Sequence, residues 1–103
     1  MNNFLNVEIS AENQEQADNI LNALLDKKLV TGGQFIESPA RFRWKGEIVD
    51  MNYLTITSFT IEKYKNEIIK VAEETSEETV PMIRFTPLDA NPKLLKWIEE
   101  TVA

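Results

Sequence analysis

The longest run of alternating strand residues limits what this chain can fold into. Residues Glu47 to Phe59 alternate between two faces, with Leu54 and Ile56 on one face and, on the other, Tyr53, Thr55, Thr57 and Phe59. At about 3.3 Å per residue a strand of this length spans roughly 40 Å, whereas a domain of this size has a radius of gyration of about 13 Å. We therefore expect a β-ribbon that extends beyond the rest of the domain, with a bulge at Asp50–Asn52 if the alternation slips.

The N-terminal part of the chain predicts one strand and one helix. Apolar and polar residues alternate from Leu5 to Ile9, which is typical of a half-buried strand. Apolar residues at helical spacing then predict a helix from about Glu12 to Lys28, and its apolar stripe is Ala17, Ile20, Leu21, Leu24 and Leu25. Glu12 and Glu15 fall in the first turns and Lys27-Lys28 in the last, as the helix dipole favours.

A second strand and a tight turn precede the long strand. The second strand is predicted from Val30 to Glu37, interrupted at Ser38-Pro39 because proline cannot donate a hydrogen bond to a neighbouring strand. Pairing resumes at Phe42 and Trp44. Lys45-Gly46 predicts the hairpin turn, in which glycine adopts a positive φ easily.

The C-terminal part predicts a helix, a short strand and a last helix. Thr60 is predicted to cap the first of these helices, whose apolar stripe is Ile61, Tyr64, Ile68, Val71 and Ala72. An acidic stretch, Glu73 to Glu78, ends it. A strand from Val80 to Phe85 follows, and Asn91-Pro92 opens the last helix.

This order of elements predicts a ferredoxin-like α+β sandwich, βαββαβ with a C-terminal helix. Two helices cover only one face of such a sheet, so the ribbon exposes several large apolar side chains: Phe35, Phe42, Trp44, Ile48 and Tyr53. Exposed apolar strands favour self-association. We therefore expect an obligate homo-oligomer.

Composition removes many kinds of function. The chain contains no histidine and no cysteine, which excludes Ser-His-Asp catalysis, thiolate nucleophiles and His or Cys metal ligands. Its 11 basic and 17 acidic residues give a net charge of −6, which argues against nucleic acid binding. No apolar run approaches the roughly 20 residues of a membrane span. We expect a single domain over residues 1–103, in the cytoplasm, without membrane or nucleic acid partners.

Several short motifs resemble those of one known family. Phe42-Arg43-Trp44-Lys45-Gly46-Glu47 resembles the aromatic-x-Trp-x-Gly hairpin of the CutA divalent-cation-tolerance proteins, which belong to the PII-like superfamily. Val80-Pro81-Met82-Ile83 and Asn91–Trp97 are similar to that family's Val-Pro-x-Ile strand and Asn-Pro-x-Tyr-Leu-x-Trp helix, and Gly32-Gly33-Gln34 resembles its passage into the second strand. The resemblance implies a ferredoxin-like subunit in a homotrimer, with a role in tolerance of copper and other divalent cations.

The chain departs from the family pattern at positions linked to metal coordination or to the cleft between subunits. Gly32 stands where the family usually has a cysteine. Ser76–Thr79 replaces a frequent His-Pro-Tyr, and Ser58-Phe59 replaces a common Lys-Thr. We therefore expect the fold and the trimer to be kept without a typical copper site.

Carboxylates offer the one remaining set of metal ligands. Glu73, Glu74, Glu77 and Glu78 could bind a hard cation such as Mg²⁺, Ca²⁺ or Mn²⁺, with Glu77 and Glu78 as the candidates we retain. The alternative is a solvated helix end and loop, which the sequence favours. No resident cofactor is predicted.

Basic and aromatic residues of the hairpin form the other candidate site. Arg41, Arg43 and Lys45 alternate beside Trp44, so they could bind a small anion between subunits. The alternative, which the sequence favours, is that they protect a strand edge or form ion pairs across an interface. Trp44 and Trp97 are interpreted as packing residues of the interface and core, although both are candidates for the intersubunit cleft.

Two functions remain open at this stage. The first is a non-enzymatic, CutA-like trimer in divalent-cation homeostasis. The second is a PII-like sensor that binds a small anion in the cleft between subunits. An enzyme is disfavoured, since no catalytic motif occurs. Gly32-Gly33 lacks the spacing of a phosphate-binding loop and instead predicts a close approach of the backbone.

Overall fold

The computed structural model describes residues 3–102, so the predicted ends of the domain at Met1, Asn2 and Ala103 lie outside the described residues. The elements are, in order, β1 (Phe4–Ala11), α1 (Gln14–Asp26), β2 (Gln34–Trp44), β3 (Glu47–Ile61), a 3₁₀ turn (Glu62–Tyr64), α2 (Lys65–Thr75), β4 (Ile83–Pro87) and α3 (Pro92–Val102). The four strands form one antiparallel sheet in the order β2-β3-β1-β4. The predicted ferredoxin-like α+β fold is confirmed. Within the described residues, every helix is too short or too polar to span a bilayer.

The two faces of the sheet are covered unequally. Helices α1 and α2 cover one face. In the main core, the sheet residues Val7, Ile9, Leu54 and Ile56 pack with the helix residues Ile20, Leu24 and Ile68. Helix α3 covers only one end of the opposite face, where Ile61, Ile98 and Val102 form a small second core. Among the described residues, no helix lies over the remaining part of that face.

The hairpin of β2 and β3 extends beyond the sheet. Strand β1 pairs with β3 only over residues 54–61, so residues 38–53, here called the ribbon, form a two-stranded segment. The chain measures 45 Å along its longest axis and 24 and 20 Å along the others. Lys45 and Gly46 close the hairpin with φ values of 50° and 83°, as a tight turn with two positive φ angles requires. The predicted ribbon and its turn are confirmed.

The predicted interruption of the second strand at Ser38-Pro39 is wrong. Strand β2 begins at Gln34 rather than Val30 and continues through Pro39, which lies opposite Asn52. Because β2 is the edge strand of the sheet, half of its N–H groups have no strand to pair with, and proline is tolerated there. The pairing of β2 with β3 also keeps one register throughout, so the bulge considered at Asp50–Asn52 does not occur.

The prediction that Thr60 caps a helix is also wrong. Strand β3 continues to Ile61, and Thr60 lies in it opposite Leu5. The Thr60 side chain is fully buried, and its Oγ1 donates a hydrogen bond of 2.7 Å to the carbonyl oxygen of Leu29. This bond and the pairing with β1 hold Thr60 in the strand, so α2 begins later, at Lys65 after the 3₁₀ turn.

Helix α1 is shorter than predicted at both ends. Asn13 caps it, since the Asn13 side chain accepts a hydrogen bond of 2.9 Å from the Gln16 N–H. Glu12 therefore precedes the helix. Lys28 has a φ of 57°, which ends the helix before the two lysines, so Lys27-Lys28 lie beyond its last turn.

Strand β4 begins at Ile83, three residues later than predicted. The Met82 N–H donates to the Ser10 side chain at 2.9 Å instead of to a neighbouring backbone carbonyl, so regular pairing starts one residue further on. Helix α3 begins at Pro92 as predicted, and the carbonyl oxygen of Asn91 accepts bonds from the N–H groups of Leu94 and Leu95.

Candidate functional site

Arg41 is engaged by a carboxylate on the facing strand. Its Nε donates to Asp50 Oδ1 at 2.6 Å and a terminal nitrogen donates to Oδ2 at 3.3 Å, because Arg41 and Asp50 lie opposite each other in the register. The hydrogen bond that Arg41 donates to Asp50 raises the pKa of Arg41. The negative charge of Asp50 balances the positive charge of Arg41, and both side chains are exposed.

Lys45 lies in the turn rather than in the strand with Arg41 and Arg43. Its Nζ is 5.6 Å from the centroid of the Trp44 ring, which is a cation–π contact. The predicted row of three cations therefore reduces to Arg41 and Arg43 on one face of β2. Among the described residues, Arg43 has no ion-pair partner.

Arg43 borders a groove between the ribbon and the segment that leads into β4. This ribbon groove has a volume of about 460 Å³. The ribbon contributes three aromatic rings to it, those of Phe42, Trp44 and Tyr53. The groove is also lined by Glu12 and by four residues of the segment before β4, which are Glu78, Thr79, Val80 and Met82. The groove thus combines aromatic, apolar and charged side chains in one place.

Glu78 is the most perturbed acid of the groove. Its Oε2 accepts a hydrogen bond of 2.8 Å from Ser10 Oγ, while its Oε1 is buried without a hydrogen-bond donor among the described residues. Burial raises the pKa of Glu78, the Ser10 bond acts in the opposite direction, and the nearby charge of Glu12 raises it further. Glu12 and Glu78 are therefore close enough for their charges to interact.

Glu77 makes a separate contact with helix α1. Its Oε2 accepts a bond of 3.1 Å from Gln16 Nε2, and Gln16 is only 7% exposed. The two candidate carboxylates therefore contact different elements. Glu77 accepts a hydrogen bond from Gln16 of α1, and Glu78 accepts one from Ser10 of β1.

Trp97 lies apart from the other candidates within one chain. It is 47% exposed on α3, which packs against the Ile61 end of β3, whereas the ribbon is at the Glu47 end. The structure therefore brings Arg43 and Trp44 together with Glu78 and leaves Trp97 outside the groove.

Three polar residues near the site were missed from the sequence. Ser10 and Gln16 are buried and bind Glu78 and Glu77, and Glu12 affects the charge of Glu78. A signal existed for Gln16, which precedes Ile20 by four residues and so shares the buried face of α1. The partners of Ser10 are distant in sequence and had no local signal.

Comparison with known proteins decides the family. The sequence model described as CutA1 divalent ion tolerance protein matches residues 5–101. The chain belongs to the CutA1 family. The family resemblance inferred from the hairpin, strand and helix motifs is thereby confirmed. Comparison with curated proteins gives no match.

Solved structures of other CutA proteins share this fold over nearly the whole chain. The periplasmic divalent cation tolerance protein CutA of Archaeoglobus fulgidus is 28% identical, with 100% of both chains covered and a TM-score of 0.90. CutA1 of Ehrlichia chaffeensis is 21% identical, with 100% of this chain and 98% of that chain covered and a TM-score of 0.91. The divalent cation tolerance protein of Thermus thermophilus is 24% identical, with 97% of this chain and 99% of that chain covered and a TM-score of 0.90.

The residues of this CutA1-family chain do not fit a soft or borderline metal site. The sequence has no cysteine or histidine to bind copper or zinc. Among residues 3–102, no three acidic side chains come together as a metal cluster. Glu77 accepts a hydrogen bond from Gln16 and Glu78 accepts one from Ser10.

Proposed function

We propose that this CutA1-family chain is a non-enzymatic homotrimer that acts in divalent-cation tolerance and assembles through the ribbon. In this proposal residues 1–103 act as one CutA-like domain. The observation that carries the proposal is the set of large apolar side chains exposed along the hairpin, which are Phe35, Ile36, Phe42, Trp44 and Ile48. The number of subunits rests on the family resemblance.

The exposed side chains lie on both faces of the hairpin. Ile36, 51% exposed, belongs to the face opposite α1 and α2, and Ile48, 64% exposed, belongs to the face that α1 and α2 cover elsewhere. The outer edge of β2 also carries backbone groups that no strand of the same chain pairs with. Apolar side chains and an unpaired edge on one projecting element together favour burial against further copies of the chain.

Charge substitutions on the β2–β3 hairpin test the assembly. We expect Ile36→Asp or Ile48→Asp to reduce the sedimentation coefficient from that of a trimer toward that of a monomer. Asn52→Asp is the matched control, because it adds the same charge at an exposed polar position of the hairpin. If all three variants sediment like the wild type, the hairpin does not carry the assembly.

The proposed role in divalent-cation tolerance does not use a metal site built from His or Cys. The absence of both residue types supports it, as does the separate hydrogen bonding of Glu77 and Glu78. Calorimetric titration of the purified, untagged protein with Cu²⁺ at neutral pH is expected to give no tight, stoichiometric binding. Tight binding at one ion per chain would contradict the proposal.

The predicted anion sensor has less support than the tolerance protein. Arg41 is already bound to Asp50, Lys45 contacts Trp44, and Arg43 shares its groove with Glu12 and Glu78. An anion in that groove would meet two carboxylates for one guanidinium. Location in the cytoplasm stays a prediction, and cell fractionation tests it, since one structural relative is described as periplasmic.

A further inference from the structure

We propose that residues 76–82, here called the strap, are a proton-operated latch, which is closed on β1 while Glu78 is protonated and opens when Glu78 is ionised. The strap joins the end of α2 to the start of β4. The proposal goes beyond the tolerance function, and it requires neither a bound metal nor a ligand in the ribbon groove. It rests on the hydrogen bonds that fasten the strap and on the surroundings of Glu78 in the closed state.

One buried serine fastens the strap to the sheet. Ser10 is 3% exposed, and its Oγ donates a hydrogen bond of 2.8 Å to Glu78 Oε2 and accepts one of 2.9 Å from the Met82 N–H. The Ser10 N–H also donates to the Met82 carbonyl oxygen at 2.9 Å. A bond of 3.1 Å from Gln16 Nε2 to the exposed Glu77 adds a contact with α1. Closure of the strap thus depends on a cluster that contains the Glu78 carboxyl group.

The closed strap holds the Glu78 carboxyl group where a negative charge is unfavourable. Its Oε1 is buried and receives no hydrogen bond among the described residues. Burial raises the pKa of Glu78, the Ser10 bond lowers it, and the charge of Glu12 raises it further, with a net rise. In an open strap the carboxyl group would be in water and would ionise as an ordinary glutamate does. Linkage then requires that ionisation favours the open strap and that protonation favours the closed one.

The other charged and titratable groups around Glu78 leave this direction unchanged. Arg43 and Tyr53 line the groove from the ribbon, and Lys45 lies in the ribbon turn. Neither cation is paired with Glu78 among the described residues, and only a hydrogen bond lowers the pKa of Glu78. Tyr53 is a phenol, which is uncharged at neutral pH. The adjacent Glu77 has a charge of the same sign as Glu78, so it cannot compensate that charge.

Opening of the strap changes the surface that the chain presents beside the ribbon. Glu78, Thr79, Val80 and Met82 belong to the strap and line the ribbon groove. The groove therefore has this lining only while the strap is closed. In this way the latch links the pH of the surroundings to the shape of the surface next to the ribbon.

Hydrogen exchange of single amides, measured by NMR on the full chain at pH 5 and pH 7, tests the latch. The N–H groups of Ser10 and Met82 report on the strap, because opening breaks the hydrogen bonds that both donate. After correction for the intrinsic effect of pH on exchange, we expect their protection to be lower at pH 7 by about fivefold or more. The Thr31 N–H, which donates to the Phe59 carbonyl oxygen, is the reference and should keep its protection. Equal or higher protection of Ser10 and Met82 at pH 7 would overturn the proposal.

Three variants separate the latch from other effects of pH. Glu78→Gln carries no charge at either pH, so the protection of the Met82 N–H should become independent of pH. Glu12→Gln is expected to reduce the pH difference, since it removes the repulsion, and the control Glu77→Gln is expected to keep it. Circular dichroism confirms that each variant is folded, and light scattering at both pH values separates strap opening from dissociation of the assembly. A pH difference that persists in folded Glu78→Gln, or that is lost in folded Glu77→Gln, would overturn the proposal.

Discussion

Replacing Thr60 tests how the long strand is joined to the rest of the domain. Thr60 Oγ1 donates to the carbonyl oxygen of Leu29, and both residues are buried. Thr60→Val keeps the shape and the branched Cβ but removes the donor, so the Leu29 carbonyl loses this partner. Leaving a buried acceptor unsatisfied costs about 1–3 kcal/mol, and the added methyl group offsets part of this, since a buried carbon is worth about 0.8 kcal/mol.

The expected net loss for Thr60→Val is about 0.2–2 kcal/mol in the free energy of unfolding. For a domain of this size, each kcal/mol lowers Tm by roughly 4–8 °C, so Tm should fall by about 1–16 °C. Thermal unfolding followed by circular dichroism measures this. All proteins are compared at the same chain concentration, because association raises Tm.

Thr60→Asp separates the buried strand position from a helix cap. At a cap, aspartate is as good as threonine. In a fully buried strand position, its charge has no solvent and no ion-pair partner, which destabilises the fold far more than the valine substitution. We therefore expect Thr60→Asp to be the least stable variant or to be unfolded. Wild-type stability in Thr60→Asp would refute the reasoning.

Two further predictions concern packing and pH. In Gly33→Ala the new Cβ would lie 2.9 Å from Leu21 Cδ2 and 3.1 Å from Ile56 Cγ2, so chemical denaturation should report a loss of about 1–3 kcal/mol; unchanged stability would contradict the close approach. Burial raises the folded pKa of Glu78 above its ordinary 4.5. The contribution of Glu78 to the free energy of unfolding is therefore complete below pH 4.5 and is lost as the pH rises through the folded pKa. Glu78→Gln has no such loss, and its Tm relative to wild type should be higher at pH 7 than at pH 4; the reverse order would contradict the raised pKa.

Local sequence patterns were sufficient for the elements of the fold. The alternation in β3, the stripe of α1 and the Lys45-Gly46 turn are local signals, and the structure confirms them except at Leu25, which is 37% exposed although it was predicted to lie in the stripe. Gly33 also has the role predicted for it, since the backbone there approaches Leu21 and Ile56. The order of the elements followed from the same local patterns, and the family motifs added the expectation of a homotrimer and of a role in divalent-cation tolerance.

The errors arose where contacts distant in sequence override a local rule. Pro39 remains in a strand because β2 is at the edge of the sheet. Thr60 remains in a strand because Leu29, 31 residues earlier, accepts its hydrogen bond. Contacts within the candidate site could not be predicted for the same reason. Asp50 on the facing strand engages Arg41, and Ser10, 68 residues from Glu78, donates a hydrogen bond to that carboxylate.

The mass of the purified, untagged chain in solution tests the central claim most directly. Light scattering coupled to size-exclusion chromatography measures it at several concentrations. The exposed ribbon predicts a stable oligomer, and the family resemblance predicts that its mass is three times the 11.8 kDa of one chain. A stable monomer of 11.8 kDa at all concentrations would contradict the claim that the ribbon is an assembly surface.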